Sequence, residues 1–183
     1  GIAYKNCQRL TLLINDLLDI EKIAAGKMQF DFSTCSMLDL LRQSIEHNQP
    51  YADKYQATID LTASEDAAVQ LDPMRFHQIM ANLLSNAAKF SPANSSISLH
   101  LEQPRPDQLR LTVTDQGEGI DPLHIPRLTE RFYRVDGHRS REQGGTGLGL
   151  AIVKHIVQRH RGRMRIESER GKGSVFSVIF PET

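Results

Sequence analysis

Hydrophobic residues in the first 26 positions recur at intervals of three and four, which is the period of an amphipathic α-helix. The centre of this stripe is Leu10, Leu13, Leu17, Ile20 and Ala24. It is widened by Ile14, Leu18 and Ile23. We predict one helix over residues 2–26, with Gly26 as its stop signal. So wide a stripe needs an apolar partner, which is either a bundle or coiled coil with a second chain or the residues that follow in the same chain.

Beyond residue 26 the apolar positions change between the two-residue period of strands and the period of helices. Strands are predicted at 27–32, 57–61, 69–71, 97–101, 109–114, 163–168 and 174–180. Helices are predicted at 37–53, 73–90, 122–131 and 147–161. Asp72 followed by Pro73 is the clearest helix start, because aspartate caps backbone N–H groups and proline suits the first turn. Ser36 is the predicted cap of the preceding helix.

The last four predicted strands form two pairs, each joined by a short turn of glycine, proline or charged residues, which is typical of hairpins. Strands and helices otherwise alternate irregularly, so we predict an α+β fold. The predicted architecture is a two-layer α/β sandwich with a mixed sheet of about five strands, a short edge hairpin and three helices on one face. The long N-terminal helix precedes it. The chain has 183 residues, 39% of them hydrophobic, which suffices for one core and an appendage.

Charge and cysteine content narrow the functional classes. The chain has 22 basic and 22 acidic residues, so its zero net charge predicts neither nucleic-acid binding nor contact with a membrane surface. An arginine-rich segment, either a solvated surface or an anion contact, contains Arg127, Arg131, Arg134, Arg139 and Arg141. Cys7 and Cys35 form no metal or disulfide framework, which indicates a reducing, cytoplasmic setting. No apolar run is long enough to span a membrane. The sequence is nevertheless compatible with a longer parent protein that is anchored in the inner membrane.

A glycine-rich run at 144–149 passes without a break into a predicted helix. Glycine backbone approaches ligands closely, and a helix start directs N–H groups and the positive end of its dipole toward them. This combination is typical of a phosphate cradle. The alternative is a flexible loop in front of a buried helix.

The helix predicted over 73–90 has a polar face besides its apolar one. Asn82, Asn86 and Lys89 lie at positions i, i+4 and i+7 and therefore share one side of the helix. A carboxamide oxygen suits Mg²⁺, which takes few protein ligands and completes its shell with water and phosphate oxygens. A lysine one turn further on neutralises phosphate charge. The alternative is an ordinary solvent-facing surface.

Two further stretches carry candidate chemistry. In Asp115-x-Gly117-x-Gly119, a carboxylate at a strand end is able to accept a hydrogen bond from an exocyclic amine while glycine backbone packs on the ring. The alternative is a common Asp-Gly turn. In the Arg-Phe-Tyr-Arg segment 131–134, aromatic rings are placed to close over a nucleotide and an arginine to reach its terminal phosphate. The alternative is a helix end with surface arginines.

These four stretches stand in the same order as in the catalytic ATP-binding domain of two-component sensor histidine kinases, and the chain resembles that domain over roughly residues 27–181. The domain belongs to the GHKL ATPase superfamily, shared with type II topoisomerases, a heat-shock chaperone and mismatch-repair ATPases. Residues 1–26 resemble the second helix of the dimerisation and phosphotransfer domain that precedes it. The resemblance thus implies a boundary between residues 1–26 and an ATP-binding domain at 27–183.

The resemblance implies a role for individual residues. Asp115 matches the carboxylate that reads the adenine amine, which favours ATP over GTP, and Gly117 and Gly119 allow backbone to approach the base. Asn86 matches the amide that binds Mg²⁺, and Asn82, one turn before it, helps to hold the metal and the phosphates.

Other matching positions contact the remainder of ATP. The residues implied in binding or catalysis are Lys89, Arg131, Tyr133, Arg134, Gly145, Thr146, Gly147, Leu148 and Gly149. Of the two arginines, Arg134 is the better candidate for the γ-phosphate. Residues 135–144 match a lid that orders over ATP.

The resemblance also implies the reaction. Hydrolytic members of the superfamily carry a glutamate base where Asn82 stands, and an amide has no useful basicity, so the γ-phosphoryl group is kept for a protein nucleophile. The implied acceptor is a histidine on a separate dimerisation helix, since none of the seven histidines here is followed directly by Asp or Glu. The implied partners are that helix, a response-regulator receiver domain and a second copy of the parent. A degenerate ATP-dependent regulatory module and a hydrolytic ATPase remain open alternatives.

Overall fold

Four helices and seven strands occur within residues 1–63, 65–135 and 147–181, which are the residues that the computed structural model describes. The helices are α1 (Ile2–Ala24), α2 (Met37–Lys54), α3 (Pro73–Phe90) and α4 (Gly149–Arg159). The strands are β1 (Ser33–Ser36), β2 (Thr58–Ala63), β3 (Ala68–Leu71), β4 (Ser96–Arg105), β5 (Gln108–Thr114), β6 (Arg163–Ser168) and β7 (Ser174–Pro181). A short 3₁₀ helix occupies Ile125–Arg127.

The main sheet has five strands in the order β2-β4-β5-β7-β6. β2 runs parallel to β4, and every other neighbouring pair is antiparallel. Along β4 the buried residues Leu99 and Leu101 alternate with the half-exposed His100, as the two-residue period of a strand requires. The mixed five-stranded sheet and both of its hairpins, β4–β5 and β6–β7, are confirmed.

Three helices cover one face of this sheet. α3 packs between α2 and α4, and the three helices contact β2, β5 and β6. The middle of the core is formed by Phe76, Ile79, Met80, Leu84, Leu99, Leu111 and Val178. The predicted two-layer arrangement is confirmed, because the apolar faces of the helices and of the sheet bury each other.

α2 and α3 begin at the predicted capping residues. The Ser36 hydroxyl accepts the backbone N–H of Asp39 at 3.2 Å, and the Asp72 carboxylate accepts that of Arg75 at 3.2 Å. Each bond satisfies an N–H group that a helix start leaves without an intrahelical partner. The start of α3 thereby sets which side chains of that helix face the core and which face away.

The strand predicted over 27–32 is wrong. This segment is irregular, and β1 begins only at Ser33. Its alternating side chains belong to a linker that lies against α4 and the residue after it: Met28 is buried, and the Phe30 ring lies 5.7 Å from the His160 ring. Apolar alternation indicates one-sided burial, and a linker packed on a helix produces it as well as a strand does.

The short second sheet is built from strands that are distant in sequence. β1 pairs antiparallel with β3, with Ser33 opposite Leu71 and Ser36 opposite Ala68. α2 and β2 lie between these strands along the chain, so the pair is not a hairpin. Periodicity predicts a strand but not its partner, which the packing of the intervening elements decides.

The helix predicted over 122–131 is wrong as well, since only Ile125–Arg127 form a 3₁₀ helix. Backbone hydrogen bonds in this segment close tight turns, as from the N–H of Arg127 to the carbonyl of His124. The two prolines of the segment supply no backbone N–H, which interrupts an α-helical hydrogen-bond pattern.

α1 confirms the predicted N-terminal helix and packs one edge of its stripe on the rest of the chain. Ile20 is buried, and Leu13 and Ile23 also contact the core. Asp19 accepts a hydrogen bond from the Gln78 side chain at 2.7 Å. The other edge of the stripe is exposed at Leu10, Ile14, Leu17 and Leu18. One edge of the stripe therefore packs on the same chain, and the other edge is available to a partner in a bundle or coiled coil.

Candidate functional site

A cleft of about 1230 Å³ opens between α1, α2 and α3 and the residues that follow β5. Its walls bring together the polar face of α3, the loop 115–120, residues 133–135 and the start of α4. The predicted site residues that line it are Asn82, Asn86, Lys89, Asp115, Gly117, Gly119, Tyr133, Arg134, Gly147 and Gly149. Four stretches that lie at least 12 positions apart in sequence thus form one site.

Asp115 lines this cleft directly after β5 and is only 7% exposed. Its Oδ1 accepts the backbone N–H groups of Gly117 at 2.9 Å and of Ser174 at 3.1 Å. Its own N–H donates to the Ser174 carbonyl at 3.0 Å. Within the described residues no hydrogen bond reaches Oδ2, so this second oxygen is available to accept one from a ligand.

The surroundings of Asp115 favour a ligand that donates a hydrogen bond to its carboxylate. Burial raises the pKa of its carboxyl group, and the N–H bonds from Gly117 and Ser174 oppose that shift by stabilising the anion. A buried carboxylate oxygen gains from a ligand N–H that replaces the water it has lost. An exocyclic amine is such a donor.

The loop 115–120 lies directly on the turn between β6 and β7. A side chain at Gly117 would meet the last carbonyl of α3 at 2.5 Å, and one at Gly119 would overlap with the Glu169 carbonyl. Gly119 also has a φ of +77°, which favours glycine. Close backbone packing therefore explains both glycines, Gly117 against the end of α3 and Gly119 against the turn.

Asn82 and Asn86 share the cleft side of α3 but differ in their partners. The Asn82 Nδ2 donates to the Gln78 carbonyl at 3.0 Å, and its Oδ1 lies against Gly149 at the start of α4. The Asn86 amide makes no hydrogen bond to the described residues. Asn86 therefore offers an available carboxamide oxygen, which fits a hard cation such as Mg²⁺.

The contact between Asn82 and Gly149 joins α3 to the N-terminus of α4. A Cβ at position 149 would overlap with the Asn82 Oδ1, so only glycine permits this approach. Gly147 and Gly149 both line the cleft, and the N-terminal end of α4 therefore borders it. The orphan N–H groups and dipole of a helix start favour an anion at this place.

Lys89 lies among other charged groups at the cleft. Burial lowers the pKa of its ammonium group, the Arg134 guanidinium lowers it further, and the Asp16 carboxylate of α1 opposes the shift. Arg134 and Lys54 line the same cleft. Several cations around a half-enclosed space attract a polyanion such as a triphosphate.

Tyr133 is the aromatic residue of the 131–134 segment that lines the cleft. Its hydroxyl makes a short hydrogen bond with the His124 Nδ1, and the Arg127 guanidinium lies 4.3 Å from the centre of its ring. Phe132, in contrast, is 58% exposed. The ring of Tyr133 is therefore held in place from two sides before any ligand binds.

Some predicted residues lie away from the cleft or outside the description. Leu148 is fully buried in the core, so it has only its backbone to offer to a phosphate. Arg131 is exposed and does not line the cleft. Gly145, Thr146 and the predicted lid, apart from its first residue, lie outside the described residues.

Sequence reasoning missed the turn between β6 and β7. Ser174 lines the cleft, and its backbone N–H holds the Asp115 carboxylate. A side chain at Gly173 would overlap with the Asp115 carbonyl, so glycine is needed there. The available signal was the Gly-Lys-Gly-Ser run 171–174. It resembles a Walker box but lacks the upstream glycine, and its backbone contacts the loop 115–120 instead.

The N-terminal helix was not predicted to contribute to the site. Among the α1 side chains that the structure describes, six line the cleft, namely Tyr4, Cys7, Gln8, Thr11, Leu12 and Asp16. In residues 1–63, 65–135 and 147–181, no group of three or more His, Cys, Asp or Glu side chains is arranged to hold a metal. No helix of that part of the chain is both long and apolar enough to cross a lipid bilayer.

Residues 71–183 match the family model described as "Histidine kinase-, DNA gyrase B-, and HSP90-like ATPase". The match covers well over half of the chain. It includes the polar face of α3, the loop 115–120, residues 133–135 and the start of α4, which are the four sides of the cleft that carry the candidate chemistry.

Sensor histidine kinases are similar to the chain over most of its length. The phosphate regulon sensor protein PhoR of Pseudomonas aeruginosa is 38% identical over 94% of this chain, which spans only 39% of PhoR. Full-length ShkA, solved in complex with AMPPNP, aligns with a TM-score of 0.84 at 28% identity, covering 95% of this chain and 36% of ShkA. The mycobacterial sensor histidine kinase MprB aligns with a TM-score of 0.73 at 28% identity, covering 83% of this chain and 98% of the MprB chain.

Proposed function

Since the chain belongs to the family of histidine kinase-, DNA gyrase B- and HSP90-like ATPases and carries the ATP-binding domain of a sensor histidine kinase, we propose that its cleft binds Mg·ATP and donates the γ-phosphoryl group to a histidine on a dimerisation helix. A response-regulator receiver domain then takes the group onto an aspartate. The observation that carries this proposal is the buried Asp115 carboxylate, with one oxygen held by two N–H groups and the other open to a ligand.

Asp115 selects the base. Its Oδ2 accepts a hydrogen bond from the exocyclic amine of adenine. A guanine base carries a keto oxygen at the same position, which would set two acceptors against each other, so ATP is preferred to GTP. ShkA, which shares this fold at 28% identity, was solved with an ATP analogue, and this supports nucleotide binding here.

The opposite end of the cleft holds the triphosphate. Lys89 and Arg134 supply positive charge, and Gly147 and Gly149 let the backbone at the start of α4 approach the phosphates. Asn86 is the residue that we assign to Mg²⁺, which would neutralise phosphate charge there. Asn82 keeps α4 seated against α3 through its contact with Gly149.

Asn82 also favours transfer of the γ-phosphoryl group to a protein side chain rather than to water. It borders the start of α4, where the phosphates are expected, and a carboxamide lacks the basicity needed to activate water. Positioning and charge neutralisation are the main requirements of phosphoryl transfer, and Lys89, Arg134 and the α4 N-terminus meet them.

The N-terminal helix belongs to a different functional unit in this proposal. We assign residues 1–26 to the second helix of a dimerisation and phosphotransfer domain and residues 27–183 to the ATP-binding domain. The exposed stripe of α1 suits a helix bundle with the phosphoacceptor helix and with a second copy of the full-length parent. Use of ATP places this part of the protein in the cytoplasm.

The test mixes this chain with Mg²⁺, ATP radiolabelled at its γ-phosphate, and the separately prepared dimerisation domain of its own parent. We expect an acid-labile, base-stable mark on that domain, which identifies phosphohistidine. Release of free phosphate without the mark would assign a hydrolytic ATPase. Nucleotide binding with neither result would assign a regulatory module.

A further inference from the structure

The hydroxyl of Ser168, the last residue of β6, joins three backbone stretches next to the cleft. Its Oγ accepts the N–H of Ile120 at 2.7 Å and donates to the Gly173 carbonyl at 2.9 Å. It also lies 2.8 Å from the Oγ of Ser174, which is directly opposite on β7. Ser168 does not line the cleft.

The direction of the third hydrogen bond follows from the other two. A serine hydroxyl has one proton and two lone pairs. A carbonyl only accepts and a backbone N–H only donates, so the Ser168 proton is committed to Gly173 and one lone pair to Ile120. The remaining lone pair requires Ser174 to be the donor between the two hydroxyls. The Ser174 proton is therefore turned toward Ser168, and Ser174 has only acceptor capacity left.

This direction matters because Ser174 lies beside the base-reading carboxylate. Its backbone N–H donates to the Asp115 Oδ1 at 3.1 Å, and both residues line the cleft. With its proton committed, the hydroxyl of this cleft-lining residue offers acceptor capacity and no donor. A 6-amino purine matches such a site, whereas a 6-keto purine finds no side-chain hydroxyl proton there.

Ser168 also fixes the far end of the loop that carries Asp115. The loop 115–120 is tied to the β6–β7 turn by the Ser168–Ile120 bond and by the Gly171 N–H, which donates to the Glu118 carbonyl at 2.6 Å. Ile120 lines the cleft and packs on the core. A shift at Ile120 therefore reaches the cleft directly.

We propose that Ser168 is a positioning residue for base selection, which holds the loop 115–120 and commits the Ser174 hydroxyl as an acceptor so that the site favours 6-amino purines. The inference rests on the proposed function, because it concerns the same ATP site. Its distinctive consequence is that loss of the Ser168 hydroxyl changes the choice between bases and not only the affinity for all nucleotides.

The test measures dissociation constants by calorimetry for ATP and for inosine triphosphate, whose base carries a 6-keto group. For Ser168→Ala we expect ATP to bind about five- to tenfold more weakly, in the range of one buried hydrogen bond, with inosine triphosphate affinity kept within about twofold. Ser168→Thr retains the hydroxyl and should retain the ratio of the two affinities. Ser177→Ala removes a hydroxyl from the other face of β7 and should leave both affinities unchanged.

Each outcome has one meaning. An equal loss for both nucleotides in Ser168→Ala, or no loss, overturns the proposal, since a merely structural hydroxyl would affect both bases alike. Ser168→Cys is measured alongside, because it keeps the side-chain size with a poor acceptor and is expected to show the same change of ratio if the alanine variant does not fold. Absence of ATP binding by the unaltered chain would instead contradict the proposed function itself.

Discussion

Asp115 shows how one residue serves recognition at the expense of stability. Its carboxyl group is buried, which disfavours the anion, and two backbone N–H groups compensate only one of its oxygens. The uncompensated oxygen is the part that a ligand amine completes. Such locally unfavourable arrangements are expected at functional sites.

Replacing this carboxylate with an amide separates the two effects. Asp115→Asn should weaken ATP binding by about 1–3 kcal/mol, since a charged hydrogen bond in a buried site is lost. The same change should raise the free energy of unfolding of the ligand-free protein at pH 7. Calorimetry with ATP and urea unfolding without it measure the two quantities.

The pH dependence of this variant provides the control. A carboxyl group whose pKa is raised by folding destabilises the folded state above its unfolded pKa of about 3.9, and the loss grows as the pH rises through the folded pKa. The stability difference between Asp115→Asn and the unaltered chain should therefore narrow toward pH 4. Unchanged ATP affinity in the variant would show that Asp115 does not read the base.

Asn86 makes a second prediction at the scale of one side chain. Asn86→Ala should remove most of the dependence of ATP affinity on Mg²⁺, because its amide is the one on α3 that has no partner among the described residues. Ser85→Ala, which alters the neighbouring cleft residue, should keep that dependence. Nucleotide titrations with Mg²⁺ and with a chelator test this, and dependence retained in Asn86→Ala excludes it as the metal ligand.

At the scale of elements, the loop 115–120 and the β6–β7 turn act as one unit. They are joined by the Gly171 N–H to the Glu118 carbonyl and by the Ser168 hydroxyl to Ile120. The ligand-reading residue lies on the first element, but its position depends on the second. Substitutions that displace the contacts between loop and turn should therefore weaken nucleotide binding, even where the altered residue does not touch the ligand.

Two glycines of this unit form a matched pair for testing it. Gly119→Ala would place its Cβ on the Glu169 carbonyl at a φ of +77°, so we expect about 2 kcal/mol or more of lost stability and at least tenfold weaker ATP binding. Gly171→Ala has a φ of +85° but no atom within 4 Å of its Cβ. It should lose only about 1–2 kcal/mol of stability, with ATP affinity retained. Equal effects of both variants on ATP binding would contradict the coupling of loop and turn.

At the scale of the whole molecule, His160 ties three parts of the chain together. Its Nδ1–H donates to the Ile156 carbonyl at 2.7 Å, and its Nε2 accepts the N–H of Asp72, the cap of α3, at 3.0 Å. Its ring also contacts Phe30 of the linker after α1. Both nitrogens are therefore used in the neutral form, and a second proton on Nε2 would face the N–H of Asp72.

Stability should accordingly fall as the pH falls below about 6.5. Burial lowers the pKa of His160, against the opposing effects of the Ile156 carbonyl and Asp72, and it lowers the pKa of His77 and His155 too. Below that pH the unfolded chain binds more protons than the folded one, so the free energy of unfolding falls as the pH falls. Solvent screening makes the contributions of the more exposed His77 and His155 the smaller ones. Urea unfolding between pH 7.5 and 5.5 measures the slope.

The variant His160→Phe measures how much of the pH dependence of stability is due to His160. It should be less stable at pH 7.5 by about 1–3 kcal/mol, because the Asp72 N–H loses its acceptor, but its stability should depend less on pH. An unaltered slope would assign the acid sensitivity to other groups.

The exposed edge of α1 leads to a prediction about assembly. Leu10 and Ile14 lie on the same side of the helix and are 57% and 47% exposed, so association through this edge should be detectable by sedimentation at micromolar concentrations. The double variant Leu10→Gln/Ile14→Gln should sediment as a monomer and keep its ATP affinity. Met74→Gln, at an exposed position of α3 that does not line the cleft, is the control. A monomeric unaltered chain would contradict the prediction.

Sequence patterns correctly predicted those features of the fold that depend on interactions between residues close together in the chain. Asp72 and Ser36 cap helices at the predicted positions because the bonded N–H lies three residues away. The linker 27–32 was mistaken for a strand because its alternation arises from contact with α4 and His160, more than 100 residues later. The contributions of Ser168 and Ser174 to the site were missed for the same reason.

The sequence by itself determined the family, the order of the helices and main strands, and the side-chain types of the site, because glycine runs, caps and periodic apolar positions act within a few residues. The tertiary structure decided which polar atoms of those side chains remain available to bind a ligand. Asn82 and Asn86 share one face on a helical projection, yet packing against Gly149 engages the first and leaves the second amide open to the cleft. That distinction depends on contacts between α3 and α4, whose contacting residues lie 67 positions apart, and no local pattern encodes it.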